Sequence, residues 1–227
     1  MFFKNYKTSE ALMQSLATRV KSELAQAIKN NGRATFVVPG GGTPKPFFNL
    51  LSDADIEWNK VTVFPTDERW VSLDNPRSNT GLIKRQLLIN RASEAHFVAL
   101  FQKNKNLEVG ASSLAESISR YLPIDVLVLG MGADMHTASL FPGAAELASA
   151  QSMDAPAVVP INPSDNSLEP RVTLSARTLE KAANTHVLII GLDKKNAVEE
   201  AEQTNSSLAP ISQFLPHATV HLSLIHI

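Results

Sequence analysis

The sequence predicts an α/β fold, a single domain built on a doubly wound, mainly parallel sheet with helices on both faces. Three observations carry this expectation. Strand-like apolar runs alternate with helix-like amphipathic segments along most of the chain. The run Val126 to Leu129 is short, apolar and β-branched, as suits a strand covered on both faces. Three strand ends run into loops rich in glycine or polar residues, where the ligand crevice of an open α/β sheet forms.

The elements follow in order. Ser9 to Lys29 spaces Leu12, Leu16, Val20, Leu24 and Ile28 four apart, which predicts an amphipathic helix. Ala34 to Val38 reads as a buried strand, Lys45 to Leu51 as a helix and Val61 to Pro65 as a second strand. A helix over Ser78 to Ile89, a short strand over Ala95 to Leu100 and a helix over Val109 to Leu122 lead to the central strand, Asp125 to Leu129. The alternation resumes with strand Arg171 to Leu174, helix Ser175 to Ala183, strand Thr185 to Ile190 and helix Lys194 to Gln203. Such spacing implies right-handed crossovers and parallel pairing. Ser152 to Pro170, with Pro156, Pro160, Pro163 and Pro170, reads as a long surface excursion. Residues 1–221 are expected to form the domain. Residues 222–227, Leu-Ser-Leu-Ile-His-Ile, read as a possible non-native tail, the alternative being a terminal edge strand from Ala218 onward. His221, His226 and Ile227 receive no role.

Composition narrows the function classes. With 227 residues, 44% hydrophobic and 19% charged, the chain can bury a full core. A net charge of -1 gives no general attraction to nucleic acid or to an anionic membrane, so an anionic ligand needs a local cluster of cations. The absence of cysteine excludes disulfides, thiolate nucleophiles and cysteine metal sites. No apolar run approaches the roughly 18 residues of a membrane helix, and the first eight residues lack a leader-like core. A cytoplasmic location is expected, and the chain is expected to be a monomer or a small homo-oligomer.

Three loops hold the candidate chemistry. After the central strand, Gly130 and Gly132 break the chain and place Asp134, His136, Thr137 and Ser139 at the crevice, where an imidazole titrating near neutrality can move protons. Standing alone, His136 would read as a histidine satisfying a backbone carbonyl, with Asp134 as a cap. After the first strand, Gly40, Gly41, Gly42 and Thr43 form a candidate cradle, in which glycines admit a close ligand and amides at a helix N-terminus favour an anion. It is neither Gly-x-Gly-x-x-Gly nor a Walker loop. After the second strand, Asp67, Glu68, Arg69, Arg77, Ser78 and Asn79 crowd into a short span suited to a charged, hydroxylated ligand, and Arg69 can grip a phosphate. Arg171 and Lys194 flank later strands and can converge on the same crevice.

Taken together, Pro39-Gly-Gly-Gly-Thr-Pro44, Thr66-Asp-Glu-Arg-Trp-Val71, Ser78-Asn79, Leu129 to Gly143, Arg171-Val-Thr-Leu-Ser175 and Gly191-Leu-Asp-Lys194 resemble the 6-phosphogluconolactonases over nearly the whole chain. The resemblance implies a Rossmann-like fold similar to glucosamine-6-phosphate deaminase. It implies hydrolysis of a phosphorylated sugar lactone, 6-phospho-D-glucono-1,5-lactone, in the oxidative pentose phosphate pathway, with no metal and no organic cofactor. His136 takes the place of the general base. Arg69, Arg171 and Lys194 take the phosphate end, Gly41 and Gly42 are candidates for the lactone carbonyl, and Asp67 and Asp134 orient hydroxyls or the histidine. A δ-lactone is an activated ester, so Ser139 reads as a helix-start hydroxyl rather than a nucleophile.

One departure stands out. Where the family commonly has Asp-Gly-His, this chain has Asp134-Met135-His136, and an αR or β conformation is expected at Met135. A glucosamine-6-phosphate deaminase-like isomerase is a rival on the same fold, disfavoured by Ser139-Leu-Phe-Pro142 where Asn-Glu would stand. A non-catalytic sugar-phosphate sensor is a second rival, for which His136 would be dispensable.

Overall fold

The structure, a computed structural model, describes residues 1–162 and 169–225. Pro163, His226 and Ile227 lie outside the described residues. The chain runs β1 (Phe2–Tyr6), α1 (Ser9–Asn31), β2 (Ala34–Val38), α2 (Lys45–Ser52), β3 (Val61–Pro65), β4 (Asp67–Arg69), α3 (Asn79–Gln86), β5 (His96–Phe97), α4 (Leu107–Ser119) and β6 (Val126–Leu129). It continues α5 (Leu147–Ala150), β7 (Val158–Ile161), β8 (Arg171–Leu174), α6 (Ala176–Glu180), β9 (Asn184–Ile190), α7 (Leu192–Ala201) and β10 (Ala218–Ser223).

Seven strands pair in the order β1-β10-β9-β6-β2-β3-β5, every pair parallel. Alternate side chains of each central strand enter opposite cores, because successive Cβ atoms leave opposite faces of a sheet. Phe36, Val38, Val126 and Val128 pack with Leu12, Leu16, Val20 and Leu24 of α1 and with Phe47, Phe48 and Leu51 of α2. Val37, Leu127 and Leu129 pack with α4 and α7 on the other face. Helix α1 is bounded by Thr8, whose hydroxyl accepts from the Ala11 amide, and by Gly32, left-handed at φ +72° with its N–H on the Ile28 carbonyl. Among the described residues no helix is long and apolar enough to cross a membrane.

Four differences from the sequence expectation have physical reasons. Arg171 to Leu174 does not join the main sheet. As β8 it lies between β4 and β7 in a small antiparallel sheet, a pairing that depends on segments far apart in the chain. The expected excursion from Ser152 contains β7, with Val158 and Ile161 buried, since Pro160 sits on an outer strand that needs no further donor. Strand β1 went unanticipated because Phe2-Phe-Lys-Asn-Tyr6 shows no clean period. Strand β10 is interior, between β1 and β9, and carries Leu222 and Ser223 buried in register with Ile189 and Ile190, so pairing continues beyond the boundary expected at 221.

The strand order places the crevice. Chain progression runs from β2 through β3 to β5 on one side, then returns to β6 and proceeds outward through β9 and β10. The connections leaving β2 and β6 therefore diverge, which opens a cleft at their carboxyl ends.

Candidate active site

The loop after β6 folds back on itself. The Gly132 amide donates to the His136 carbonyl at 2.9 Å, the Met135 amide to the Gly132 carbonyl at 3.2 Å, and Thr137 Oγ1 to the Gly130 carbonyl at 2.8 Å. This reversal lays His136 over Gly132. A Cβ on Gly132 would stand 2.1 Å from Asp134 Oδ1 and 2.2 Å from His136 Nδ1, so only glycine admits the pair. Met135 is left-handed, at φ +64°, not αR or β as expected. The loop imposes this, because the chain must turn between Gly132 and His136 to close their hydrogen bond. The conformation costs about 1 kcal/mol for a residue with a Cβ. Met135 is held there by its carbonyl, which accepts from the Ile211 amide at 3.2 Å, and by its side chain, packed against the core.

His136 Nδ1 lies 2.6 Å from Asp134 Oδ1. An ionised carboxylate accepts, so Nδ1 carries the proton and Nε2 is left as the basic nitrogen. Burial raises the Asp134 carboxyl, but the charge and hydrogen bonds of His136 outweigh it and hold the carboxyl below its ordinary range. Asp134 is thus the stable anionic partner of the ring.

The loop after β2 presents Gly40, Gly41, Gly42 and Thr43. Gly41 is left-handed at φ +88°. Gly40 is required by close approach, since its Cβ would fall 1.9 Å from Asn79 Oδ1. Among the described residues none of these four amides donates a hydrogen bond within the protein. They, rather than the first turn of α2, form the donor set, because Pro44 and Pro46 carry no N–H there.

The third part is the small sheet. Its antiparallel register sets Arg69 directly opposite Arg171. Like charges placed opposite each other destabilise a strand pair unless an anion lies between or beside them. Both Nε atoms are buried and, among the described residues, without a hydrogen-bond partner. Arg171 is 9% exposed, with Asp67 Oδ2 3.9 Å from its Nη1. Burial lowers the Arg171 pKa, Asp67 opposes that, and Arg69 and Arg77 add to it. Arg69 Nη1 donates to the Arg77 carbonyl at 2.5 Å, and Arg77 Nε pairs with Glu169 at 2.5 Å. Lys194, in the first turn of α7, is lowered by burial and raised by Asp134 and Asp193, so its charge is coupled to the histidine side of the cleft.

These parts surround one cleft of about 280 Å³, a size for a small molecule. Gly40, Gly41, Thr43, Asp67, Arg69, His136, Arg171 and Lys194 line it, drawn from five separated segments. Gly42 and Asp134 do not line it; Asp134 stands behind His136. Ser139 starts no helix, contrary to expectation. Its Oγ donates to Asp67 Oδ2 at 2.6 Å and its amide to Thr173 Oγ1 at 3.3 Å, both deep in the interior. The sequence placed Glu68 in the polar cluster but concealed its role. It is fully buried and accepts from the amides of Arg69, Asn79 and Thr80 and from Ser78 Oγ, tying β4 to the start of α3. Burial raises its pKa, and the Thr80 and Asn79 donors pull it back. Nothing in Thr-Asp-Glu-Arg-Trp distinguishes it from an ordinary surface acid. Among the described residues no three acidic or histidine side chains converge as a metal site.

Comparison with known proteins places the chain in a family. The family described as glucosamine-6-phosphate isomerases/6-phosphogluconolactonase matches residues 7–222. The chain belongs to this family. Among the family's members, the 6-phosphogluconolactonase of Rhizobium meliloti (strain 1021) is 38% identical over 221 residues, covering 96% of this chain and 95% of that protein. That of Mesorhizobium japonicum is 40% identical over 84% of this chain and 80% of its own length. A crystal structure of a 6-phosphogluconolactonase from Shewanella baltica OS155 superposes with a TM-score of 0.93 at 37% identity, covering 98% and 97% of the two chains. A monomeric glucosamine-6-phosphate deaminase shares the fold, with a TM-score of 0.80 at 22% identity.

Proposed function

We propose that this chain is a 6-phosphogluconolactonase, hydrolysing 6-phospho-D-glucono-1,5-lactone to 6-phosphogluconate in the cytoplasm. The observation that carries the reading is the pairing of two unlike ends in one cleft. One end is an oriented imidazole, His136 on Asp134; the other is a pair of buried, partnerless guanidinium edges, Arg69 and Arg171.

The phosphate dianion docks against Arg171, Arg69 and Lys194, which fixes the lactone ring along the cleft. His136 Nε2 takes a proton from a water whose oxygen bonds to the lactone carbonyl carbon. Negative charge collects on the carbonyl oxygen, for which the unengaged amides of Gly40 and Gly41, both lining the cleft, are the donors. When the bond from that carbon to the ring oxygen breaks, the imidazolium returns its proton to the ring oxygen. Asp134 keeps the ring in the required tautomer and faces the imidazolium with an anion. Asp67, held by Ser139 and Thr66, is left as an acceptor for substrate hydroxyls and as the counter-charge of Arg171. No nucleophilic side chain is needed, and Ser139, engaged with Asp67, does not line the cleft.

The test is a lactonase assay, corrected for spontaneous hydrolysis, on the parent chain and His136→Ala. The variant is expected to lose about 100-fold or more in kcat. Equal activity in both proteins overturns the mechanism, and activity in neither favours the sugar-phosphate sensor.

A further inference from the structure

One aromatic side chain that the mechanism above does not use packs against a group from each end of the cleft. The Phe141 ring centroid lies 4.7 Å from that of His136, with the planes inclined by 47°. The Arg171 Cζ lies 5.0 Å from the same centroid. We propose that Phe141 is a positioning residue that sets the separation between the His136 imidazole and the Arg171 guanidinium, and so matches the catalytic base to the phosphate anchor. This rests on the roles given to His136 and Arg171 above.

What holds each partner otherwise is weak. Among the described residues Arg171 has only the 3.9 Å approach to Asp67, and its Nε is without a partner, so the ring face is the contact that defines where the guanidinium plane lies. A guanidinium over an aromatic face is attracted by the ring quadrupole, which a branched alkyl side chain of similar size lacks. His136 has the Asp134 hydrogen bond, but that carboxylate is 57% exposed, and a single bond to Nδ1 leaves the imidazole plane free to rotate about it. The inclined packing on Phe141 removes that freedom.

Phe141 itself is well fixed. Leu140 before it is fully buried, the Ala144 amide closes a turn onto the Phe141 carbonyl at 3.2 Å, and Gly143 is left-handed at φ +75°. A phenyl ring has two torsions, so a fixed backbone fixes the face that both functional groups touch. The two groups come from elements 35 positions apart in sequence, and the ring is their shared neighbour.

The experiment compares the parent with Phe141→Leu and Phe141→Tyr, measuring kcat, KM for the lactone, competitive inhibition by inorganic phosphate, and melting temperature. Phe141→Leu is expected to lower kcat about tenfold through the loosened imidazole. It is also expected to weaken phosphate inhibition about fivefold through the lost face. Phe141→Tyr keeps the face and is expected to restore both to within about twofold. A change in only one of the two parameters, a change in neither, or a Tyr variant as impaired as the Leu variant overturns the proposal. Should Phe141→Leu melt early, Phe141→Tyr decides: recovery of melting temperature without recovery of both parameters counts against it. His136→Ala is run alongside. If it is inactive while Phe141→Leu is normal, this inference alone falls; if it retains full activity, the reading of the histidine falls and this inference with it.

Discussion

His136 Nδ1 and Asp134 Oδ1 stand 2.6 Å apart across a bare glycine, Gly132, whose missing Cβ is the space they occupy. The tautomer of the ring follows from that contact, because an anionic carboxylate can only accept. Replacing Asp134 by Asn keeps the shape but lets the amide oxygen or nitrogen face the ring, so Nε2 is no longer committed as the base. Asp134→Asn is expected to lower kcat about 100-fold with KM nearly unchanged. Steady-state kinetics on the purified variant measures this, and an unchanged kcat removes the orienting role.

Gly132→Ala should be worse for activity than for stability. The added methyl would sit 2.1 Å from Asp134 Oδ1 and 2.2 Å from His136 Nδ1, and the half-exposed pair is freer to move than the strand-end backbone. The expected outcome is a loss of more than about 100-fold in kcat with a melting shift of only a few degrees. Assay and thermal melting on the same preparation check it; full activity would mean the pair sits elsewhere.

The left-handed Met135 separates two substitutions that look alike on paper. Met135→Gly accepts φ +64° without strain and is expected to keep kcat within about twofold. Met135→Val puts a β-branched side chain where it is disfavoured and is expected to cost about 2 kcal/mol or to shift the His136 loop. Urea unfolding and activity of the two variants give the comparison, and equal stability of both would show that the turn relaxes.

Acid stability rests in part on buried groups that do not line the cleft. His186 Nε2 pairs with Glu23 at 2.7 Å, His186 Nδ1 with His221 Nε2 at 3.1 Å, and the Tyr6 hydroxyl with His221 Nδ1 at 2.9 Å. Burial and the neighbouring His186 push the His221 pKa down from 6.5 to about 3. A folded-state pKa below the unfolded one means the unfolded chain takes up the proton first. His221 therefore favours the fold fully above pH 6.5, and its contribution is lost as pH falls from 6.5 toward 3. The loss is at most roughly 1.4 kcal/mol per pH unit. Glu23, also lowered, adds to the decline only below 4.5. Between pH 6.5 and 4.5, His221→Gln should flatten the fall in unfolding free energy seen in the parent, and parallel slopes would dismiss this account.

Removing the buried acceptor of the β4 turn tests the scaffold under Arg69. Glu68→Ala leaves the amides of Arg69, Asn79 and Thr80 without a partner and is expected to cost about 3 kcal/mol or more. Glu68→Gln keeps acceptor oxygen and is expected to recover part of that. Equal unfolding midpoints for the two variants would contradict the role given to the carboxylate.

The sequence alone determined the parts whose signal is local. The four-residue spacing of Leu12 to Ile28 predicts α1, the unbroken apolar run of Val126 to Leu129 predicts a strand buried on both faces, and glycines after strands predict the crevice, because helix period, strand burial and backbone freedom act over a few residues. The family motifs singled out His136, Asp134, the glycine loop and the scattered cations in the same way. Only the tertiary structure decided the relations among them. Arg69 faces Arg171 because β4 and β8 pair antiparallel across about 100 residues of chain. Ser139 serves Asp67, His221 lies in a buried chain with Tyr6 and His186, Glu68 clamps a helix start, and Phe141 touches both His136 and Arg171. Met135 adopts φ +64° because the hydrogen bond between Gly132 and His136 must close. Register, side-chain contact and loop closure are properties of segments brought together in space, and no local pattern encodes which segments those will be.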